Sequence, residues 1–248
     1  ARRVLHEADA ILTCNKKEAE LQQQRFPNKR ILIQPHGVSA KDYAADCRAD
    51  ARIAFPQIVG KDVLLVVGRI DPIKNQGWVI EQAPCIFKRY PNTLLVFAGS
   101  CTDASYGKAL EKAIARHGFQ NRVLLTGGLP HGDKRLIGLF QEARAVLVPS
   151  ISETFGLVII EAWAAGTVVI STNNSGALDL VTPGENGWIF DLTRPDGFHA
   201  AVQTVLNKPD VARQFAENGR QLVQREFDTA VLGARVKKLY EELIEEKQ

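Results

Sequence analysis

Short aliphatic runs recur along the chain, and segments with helical periodicity separate them. Most of the runs are apolar at every position, which is typical of strands covered on both faces. The alternation of such strands with helices predicts an α/β fold with a doubly wound, Rossmann-like parallel sheet. The predicted strands are Ala10–Cys14, Ile31–Gln34, Val63–Val67, Leu94–Ala98, Val123–Thr126, Ala145–Pro149, Val168–Ser171 and Gly187–Phe190.

The ends of the chain and one internal segment are less regular. Residues 43–61 are mixed in polarity and contain Pro56, so we interpret them as a connection. We divide the chain into residues 1–35, the remnant of a preceding domain with its junction, and residues 36–248, the main domain with terminal helices. The chain begins within a helix-like stretch, and we expect it to be a fragment. Near the C-terminus one helix face, which we expect to pack partly against the preceding domain, carries Leu232, Val236, Leu239 and Leu243.

Composition narrows the class of protein. The 248 residues are 45% hydrophobic and 24% charged, as in ordinary globular proteins, and no apolar run approaches the ~20 residues of a membrane-spanning helix. The net charge of +3 is too small to indicate nucleic acid as a partner. Four scattered cysteines without a CxxC pair favour reduced thiols and a cytoplasmic location, in solution or at the inner face of the membrane.

The loops that follow the strands are the candidate sites, because open α/β sheets bind ligands at the carboxyl ends of their strands. Gly68 follows the strand Val63–Val67 and permits a tight turn. Arg69 and Lys74 come next, before a helix predicted to begin near Asn75. Two cations beside a helix N-terminus favour a phosphate or pyrophosphate. The alternative is a solvated loop with two surface cations, and neither a GxGxxG nor a Walker A sequence is present.

Two glutamates follow the strand Ala145–Pro149. Glu153 lies in the loop or at the start of the next helix, and Glu161 lies eight residues later among aliphatic residues. A carboxylate in such a position is costly unless it meets a hydrogen-bond donor. Eight helical residues would separate the two by roughly 12 Å, the span of a nucleotide sugar from hexose to ribose. Glu161 would then accept hydrogen bonds from ribose hydroxyls and Glu153 from hexose hydroxyls. Alternatively, the helix dipole stabilises one acid near the helix N-terminus, and the other acid faces solvent.

Two further loops are open to two interpretations each. Thr126–Pro130 contains two glycines, which permit close approach to a flat base held by the main chain of Leu129, or simply form a turn. Ser171–Gly176 is a small polar loop that either lies against phosphates or caps the next helix. The five histidines form no HExxH pair, and neither GxSxG nor Asp-x-Asp occurs. We therefore expect neither a metal nor a separate cofactor.

Taken together, these motifs resemble the retaining family-4 glycosyltransferases of the GT-B fold. The resemblance extends from about Ile31 to Gly187. Within it, Pro35-His36-Gly37-Val38 resembles the family's Pro-Asn-Gly-Val junction, with His36 as a departure. The motifs that carry the resemblance are Gly68-Arg69 with Lys74-Asn75, Ser152-Glu153-Thr154-Phe155-Gly156-Leu157, Glu161-Ala162 and Ala164-Ala165-Gly166.

The resemblance implies the C-terminal, donor-binding half of a GT-B enzyme that transfers a hexosyl group from a UDP-, GDP- or ADP-linked sugar. It implies that Arg69 and Lys74 hold the diphosphate, that Glu161 binds the ribose and that Glu153 binds the sugar. Arg69, Lys74 and Glu153 would be the catalytic residues. The backbone N–H groups of the segment Phe155-Gly156-Leu157 would face the sugar and phosphates, beside the loop of Gly68. The acceptor, a sugar, a lipid or a small molecule, would need the missing N-terminal domain, and this chain alone is expected to be inactive.

Two alternatives share the same motifs. A sugar transferase similar to sucrose-phosphate synthase has the same fold and signature with a different acceptor. A nucleotide-sugar-binding module without catalysis is the other, although intact Arg69, Lys74, Glu153 and Glu161 argue against it. A receiver domain or a dehydrogenase is opposed by the missing glycine fingerprint.

Overall fold

The computed structural model describes residues 2–246, and the strands in that range form two sheets with parallel pairing throughout. The strands are β1 (Ala10–Thr13), β2 (Arg30–Ile33), β3 (Asp62–Val67), β4 (Thr93–Ala98), β5 (Val123–Gly127), β6 (Ala143–Val148), β7 (Val169–Thr172) and β8 (Gly187–Phe190). β1 and β2 pair with each other, and the others form one sheet in the order β5-β4-β3-β6-β7-β8. Both ends of every predicted strand lie within two residues of the ends of an observed strand. The order is that of a doubly wound Rossmann-like sheet, which confirms the predicted fold class.

Helices cover both faces of the larger sheet and complete two apolar cores. In β3, Val63 and Leu65 belong to one core while Leu64 and Val66 belong to the other, because successive side chains of a strand point to opposite faces. This explains why the strand sequences are apolar at every position. The helices are α1 (Arg2–Glu7), α2 (Lys16–Arg25), α3 (Ala40–Ala44), α4 (Arg48–Ala54), α5 (Gln76–Arg89), α6 (Ala104–Arg116), α7 (Lys134–Glu142), α8 (Leu157–Ala164), α9 (Ser175–Leu180), α10 (Asp196–Asn207), α11 (Pro209–Leu222) and α12 (Thr229–Glu245). Within the described residues, none of the helices combines the length and apolar character needed to cross a bilayer.

The interpretation of residues 43–61 as a connection is wrong. The segment contains the end of α3, all of α4 and a 3₁₀ turn at Pro56–Ile58, and α4 packs against α7. Its buried side chains belong to the core on one face of the sheet; three of them, Tyr43, Cys47 and Ala51, are spaced by four residues, and Ile58 lies in the 3₁₀ turn. Residues 45–47 are not helical, so these side chains do not lie on one continuous helix, and neither short helix stands out in the sequence.

The N-terminal strands form a small sheet of their own, and α12 contacts this sheet at one end and the start of α3 at the other. Arg30 of β2 forms ion pairs with Glu242 and Glu246 near the end of α12, at 2.8 and 3.1 Å. At the other end of α12, Asp228 caps the helix and also accepts a hydrogen bond from the backbone N–H of Ala40 at 3.1 Å. As expected, the apolar face of α12 is only partly covered: its first leucine is buried, and the later apolar residues of that face are half-buried.

The contact between α4 and α7 provides a test of the packing. A Cβ atom at Gly138 of α7 would lie 2.1 Å from the carbonyl oxygen of Cys47 and 2.8 Å from Cβ of Ala51. We expect Gly138→Ala to lower the free energy of unfolding by about 1–3 kcal/mol, because the two backbones must separate. Differential scanning calorimetry measures the loss. As a control, Gly233→Ala in α12, where a Cβ meets nothing within 4 Å, should be neutral or slightly stabilising; equal melting temperatures for both variants would contradict this packing.

Candidate functional site

The loops that leave β3 and β6 meet in one cleft at the carboxyl edge of the larger sheet. β3 and β6 are neighbours, and the chain proceeds from them towards opposite edges, so the cleft lies at the topological switch point of the sheet. Its volume is about 570 Å³. The cleft is lined by His36, Gly68, Arg69, Lys74, His131, Glu153, Thr154, Phe155, Gly156, Leu157, Val158 and Glu161. All but one of the predicted site residues are therefore brought together; Leu129 packs instead, partly buried, against the core.

The loop after β3 is organised by an aspartate that the sequence motifs do not single out. Asp71 is buried, its Oδ1 accepts the backbone N–H of Lys74 at 3.0 Å, and its Oδ2 lies 3.2 Å from the guanidinium of Arg69. Gly68 has a φ of +147°, and a Cβ there would lie 3.3 Å from Cδ of Lys74. The loop therefore folds back on itself and brings both cations to the cleft. The helix predicted to begin near Asn75 begins one residue later, at Gln76, with Asn75 as the residue that precedes α5.

Lys74 already has an anionic partner in the cleft. Its Nζ lies 2.5 Å from Oε2 of Glu153, and both side chains are 18% exposed. The hydroxyl of Ser150 is 3.5 Å from the same carboxylate oxygen. This ion pair connects the loop after β3 with the loop after β6, and it means that a bound anion would compete with Glu153 for Lys74.

The loop after β6 is held from two sides by hydrogen bonds to its backbone. The carbonyl of Glu153 accepts from the N–H of Gly176 at 2.9 Å and from the hydroxyl of Ser175 at 3.1 Å. Asn15, in the N-terminal unit, donates to the carbonyl of Thr154 at 2.7 Å. The side chain of Asn174 caps α9. The loop Ser171–Gly176 thus caps a helix and supports the neighbouring loop, which is the second of its two predicted interpretations.

The start of α8 presents backbone donors to the cleft. Gly156 precedes the helix with a φ of +93°, a conformation that L side chains rarely adopt. The first N–H groups of a helix have no carbonyl one turn earlier to donate to, and Leu157 and Val158, which hold these positions, line the cleft. The next N–H, that of Ile159, donates to the carbonyl of Gly156 at 2.9 Å. Glu153 lies four residues before the helix, in the loop. The estimate of 12 Å between Glu153 and Glu161 is therefore wrong in its premise, because only the residues from Leu157 onwards rise as a helix.

Glu161 is a buried carboxylate with two partners on one oxygen. Its Oε1 accepts a hydrogen bond from the hydroxyl of Tyr43 at 2.8 Å and lies 2.8 Å from Nδ1 of His131. No residue of the described chain, residues 2–246, donates a hydrogen bond to its Oε2. Burial raises the pKa of the Glu161 carboxyl above its usual value, while the hydrogen bond from Tyr43 and the contact with His131 act in the opposite direction. Burial also raises the pKa of Tyr43, so the phenol remains the donor.

Two histidines of the cleft were missed as site residues. His131 lies in the loop after β5, and its side chain is 68% exposed although it reaches Glu161. His36 lies edge-on to Phe155 with ring centroids 5.3 Å apart. Their positions in the sequence could have indicated them, because both histidines lie in loops that follow strands, as the predicted site loops do. Within the described part of the chain, no three His, Cys, Asp or Glu side chains are placed to hold a metal ion.

Comparison with known proteins identifies relatives of the whole described fold. The model of the family described as "Glycosyl transferases group 1" matches residues 49–222. Glycogen synthase of Mycobacterium tuberculosis is 28% identical over 239 residues, 96% of this chain and 55% of that protein. Sucrose-phosphate synthase from Thermosynechococcus elongatus superposes with a TM-score of 0.83 at 27% identity, covering 98% of this chain and 60% of that one. HepE of Anabaena, solved in complex with UDP-glucose, also gives 0.83, at 19% identity over 97% of this chain and 66% of that one.

These likenesses confirm the predicted C-terminal half of the GT-B fold. The chain spans about half the length of the curated relatives it matches, 55% in the case of the glycogen synthase. The HepE likeness is below 25% identity and shows the fold alone.

The burial of Glu161 predicts a stability effect with a defined pH dependence. Because its folded-state pKa is raised, the folded protein binds this proton more tightly than the unfolded protein does. Ionised Glu161 therefore lowers the free energy of unfolding at neutral pH, and the loss is recovered as the pH falls through the folded-state pKa. We expect Glu161→Gln to unfold at a higher temperature than the wild type at neutral pH, with the gain shrinking in acid.

Calorimetry across a pH series measures this, since 1 kcal/mol moves the melting temperature by about 2–4 °C in a chain of this size. Glu111→Gln, at an exposed position of α6, is the control and should change nothing at any pH. A Glu161→Gln protein that melts below the wild type at every pH would show that the ionised carboxylate is a net stabilising group.

Proposed function

The chain belongs to the group 1 glycosyl transferases, and we propose that it is the donor-binding half of a retaining hexosyltransferase that uses a nucleoside-diphosphate sugar. One observation carries the proposal. Two cations, the free N–H groups at the start of α8 and one buried carboxylate line a single cleft at the switch point of the sheet. A diphosphate suits the cations and the helix N-terminus, and a ribose diol suits the carboxylate.

In the proposed complex each part of the donor has its own contacts. The diphosphate lies between Arg69, Lys74 and the backbone N–H groups of residues 155–157. The ribose hydroxyls donate to Glu161, and the hexose hydroxyls donate to Glu153. The base, that of a UDP-, GDP- or ADP-linked sugar, lies against the main chain of Leu129. HepE, which shares the fold, is itself solved in complex with UDP-glucose.

Transfer itself depends on charge that develops on the leaving diphosphate. As the glycosidic bond breaks, the bridging oxygen gains negative charge, and Arg69 and Lys74 stabilise that charge from fixed positions. In this proposal the two cations and the helix N-terminus neutralise the leaving group, with neither a metal nor a cofactor. The acceptor attacks from the face that the diphosphate leaves, and a donor phosphate oxygen takes its proton, which retains the configuration at the anomeric carbon.

The acceptor requires residues beyond those that line the cleft. We propose that residues 36–248 form the donor domain and that residues 1–35 belong to the junction with an acceptor domain. The relatives are longer than this chain, and their additional length supplies room for such a domain. On this proposal the chain alone binds donor and does not transfer sugar to an acceptor, whether a sugar, a lipid or a small molecule. The free cysteines of the described chain support a cytoplasmic location.

A second candidate differs in the acceptor alone. The likeness to sucrose-phosphate synthase, at 27% identity over 98% of this chain, favours a transferase with a sugar-phosphate acceptor. Nucleotide binding to this chain would be the same in both cases, so the first experiments concern the donor.

The diphosphate contacts predict a loss of nucleotide affinity. Wild-type protein is titrated with UDP, GDP and ADP by calorimetry, and the tightest of these is carried forward. Arg69→Ala and Lys74→Ala should each weaken it by about 1.5–3 kcal/mol, or roughly 10- to 150-fold, since charge-assisted contacts are lost. Lys112→Ala, at an exposed position of α6, is the control and should bind as the wild type. Unchanged affinity in both cleft variants would show that the diphosphate does not bind at this loop.

The ion pair of Lys74 with Glu153 predicts that Glu153→Gln affects two ligands differently. Glu153→Gln releases Lys74 and removes an anion from the cleft, so the free nucleoside diphosphate should bind more tightly, by roughly two- to tenfold. The nucleotide sugar also loses the carboxylate that accepts from its hexose, and its advantage over the free diphosphate should fall. Calorimetric titration with both ligands gives the ratio. If Glu153→Gln changes both affinities by one common factor, Glu153 does not contact the sugar.

A further inference from the structure

The two partners of Glu161 differ in how firmly they are held. Tyr43 is 2% exposed and lies in the core, whereas the side chain of His131 is 68% exposed. Both reach the same oxygen, Oε1, at 2.8 Å. A ligand that enters the cleft can displace an exposed imidazole, while a buried phenol has no other position to occupy.

The backbone around Tyr43 is fixed by a side chain of α7. Gln141 donates from Nε2 to the carbonyls of Tyr43 and Ala45, at 3.1 and 2.8 Å, and its Oε1 accepts the N–H of Cys47 at 2.8 Å. The ring of Tyr43 packs against Phe140, with centroids 6.1 Å apart. Three hydrogen bonds and one ring contact therefore hold the phenol where it meets the carboxylate.

A carboxylate held by one oxygen presents the other in a defined direction. Glu161 lines the cleft, Oε1 is engaged, and no residue in the range 2–246 donates to Oε2. From this geometry we propose that Tyr43 is a positioning residue for ribose recognition: its hydroxyl fixes Oε1 of Glu161 so that Oε2 accepts from a ribose hydroxyl. The inference rests on the proposed nucleotide function and adds to it a residue from α3, outside the loops that carry the other contacts.

The test measures discrimination between a ribose and a 2′-deoxyribose. Whichever of UDP, GDP and ADP binds the wild type is titrated together with its 2′-deoxy counterpart and with inorganic pyrophosphate. We expect Tyr43→Phe to lower the ratio of ribo to deoxy affinity by roughly two- to tenfold, the effect of one hydrogen bond, and to leave pyrophosphate unchanged. A purely structural role for Tyr43 would weaken all three ligands alike.

Two variants serve as controls. Tyr90→Phe also removes one phenol hydroxyl, but from a residue that does not line the cleft. That hydroxyl accepts a hydrogen bond of 3.1 Å from Asn207, and the variant should keep the wild-type ratio. His131→Ala removes the other partner of Oε1 and should keep most of the ratio, because the fixed partner remains. If His131→Ala abolishes the preference for the ribonucleotide and Tyr43→Phe leaves that preference unchanged, His131 is the positioning residue and the proposal is wrong.

Three further outcomes are distinct. If Tyr43→Phe does not fold, Gln141→Ala, which releases the backbone of Tyr43, should lower the ratio in the same direction, and a wild-type ratio there would overturn the proposal. If the wild type binds none of the diphosphates, the proposed nucleotide function itself has failed. If it binds them and Tyr43→Phe keeps the wild-type ratio, only the role of Tyr43 has failed.

Discussion

The burial of one carboxylate, that of Glu161, constrains the structure on the cleft side of the sheet. An ionised group inside a core is costly unless donors reach it, and the principal buried donor is the hydroxyl of Tyr43. That bond requires α3 to lie over α8, which in turn places α4 against α7. The close approach at Gly138 and the three hydrogen bonds of Gln141 are the local means by which the chain meets this requirement. Core packing and, in our proposal, the recognition of the ribose therefore depend on the same contact.

The charges of the cleft are arranged as pairs that a ligand would rearrange. Arg69 lies beside Asp71, and Lys74 lies beside Glu153, so both cations have anionic partners in the free protein. Asp71 is buried and also holds the backbone of the loop, whereas Glu153 lies in the cleft itself. A diphosphate would therefore exchange partners chiefly at Lys74. The backbone donors at the start of α8 need no such exchange, because their loop is held by Ser175 and Gly176.

The fold and most of the cleft are predictable from the sequence for one physical reason. Strands buried on both faces are apolar at every position, and parallel strands bring their following loops to one edge, so the sequence pattern predicts that Arg69, Lys74 and Glu153 lie close together. Prediction fails where the pattern is short or depends on distant residues. Tyr43 lies in a short helix whose apolar period is broken a few residues later, and its partner is 118 residues away. The contact of His131 with Glu161 likewise depends on a loop conformation that no local pattern encodes.

We propose that Glu161 binds the ribose of a nucleotide and that Arg69 and Lys74 bind its diphosphate. A crystal structure of this chain with the nucleoside diphosphate that binds it most tightly tests the claim directly. We predict a ribose hydroxyl within hydrogen-bond distance of Oε2 of Glu161. We also predict the diphosphate between the two cations and the first N–H groups of α8. A nucleotide bound elsewhere on the sheet, or bound in the cleft with its ribose turned away from Glu161, would contradict the claim.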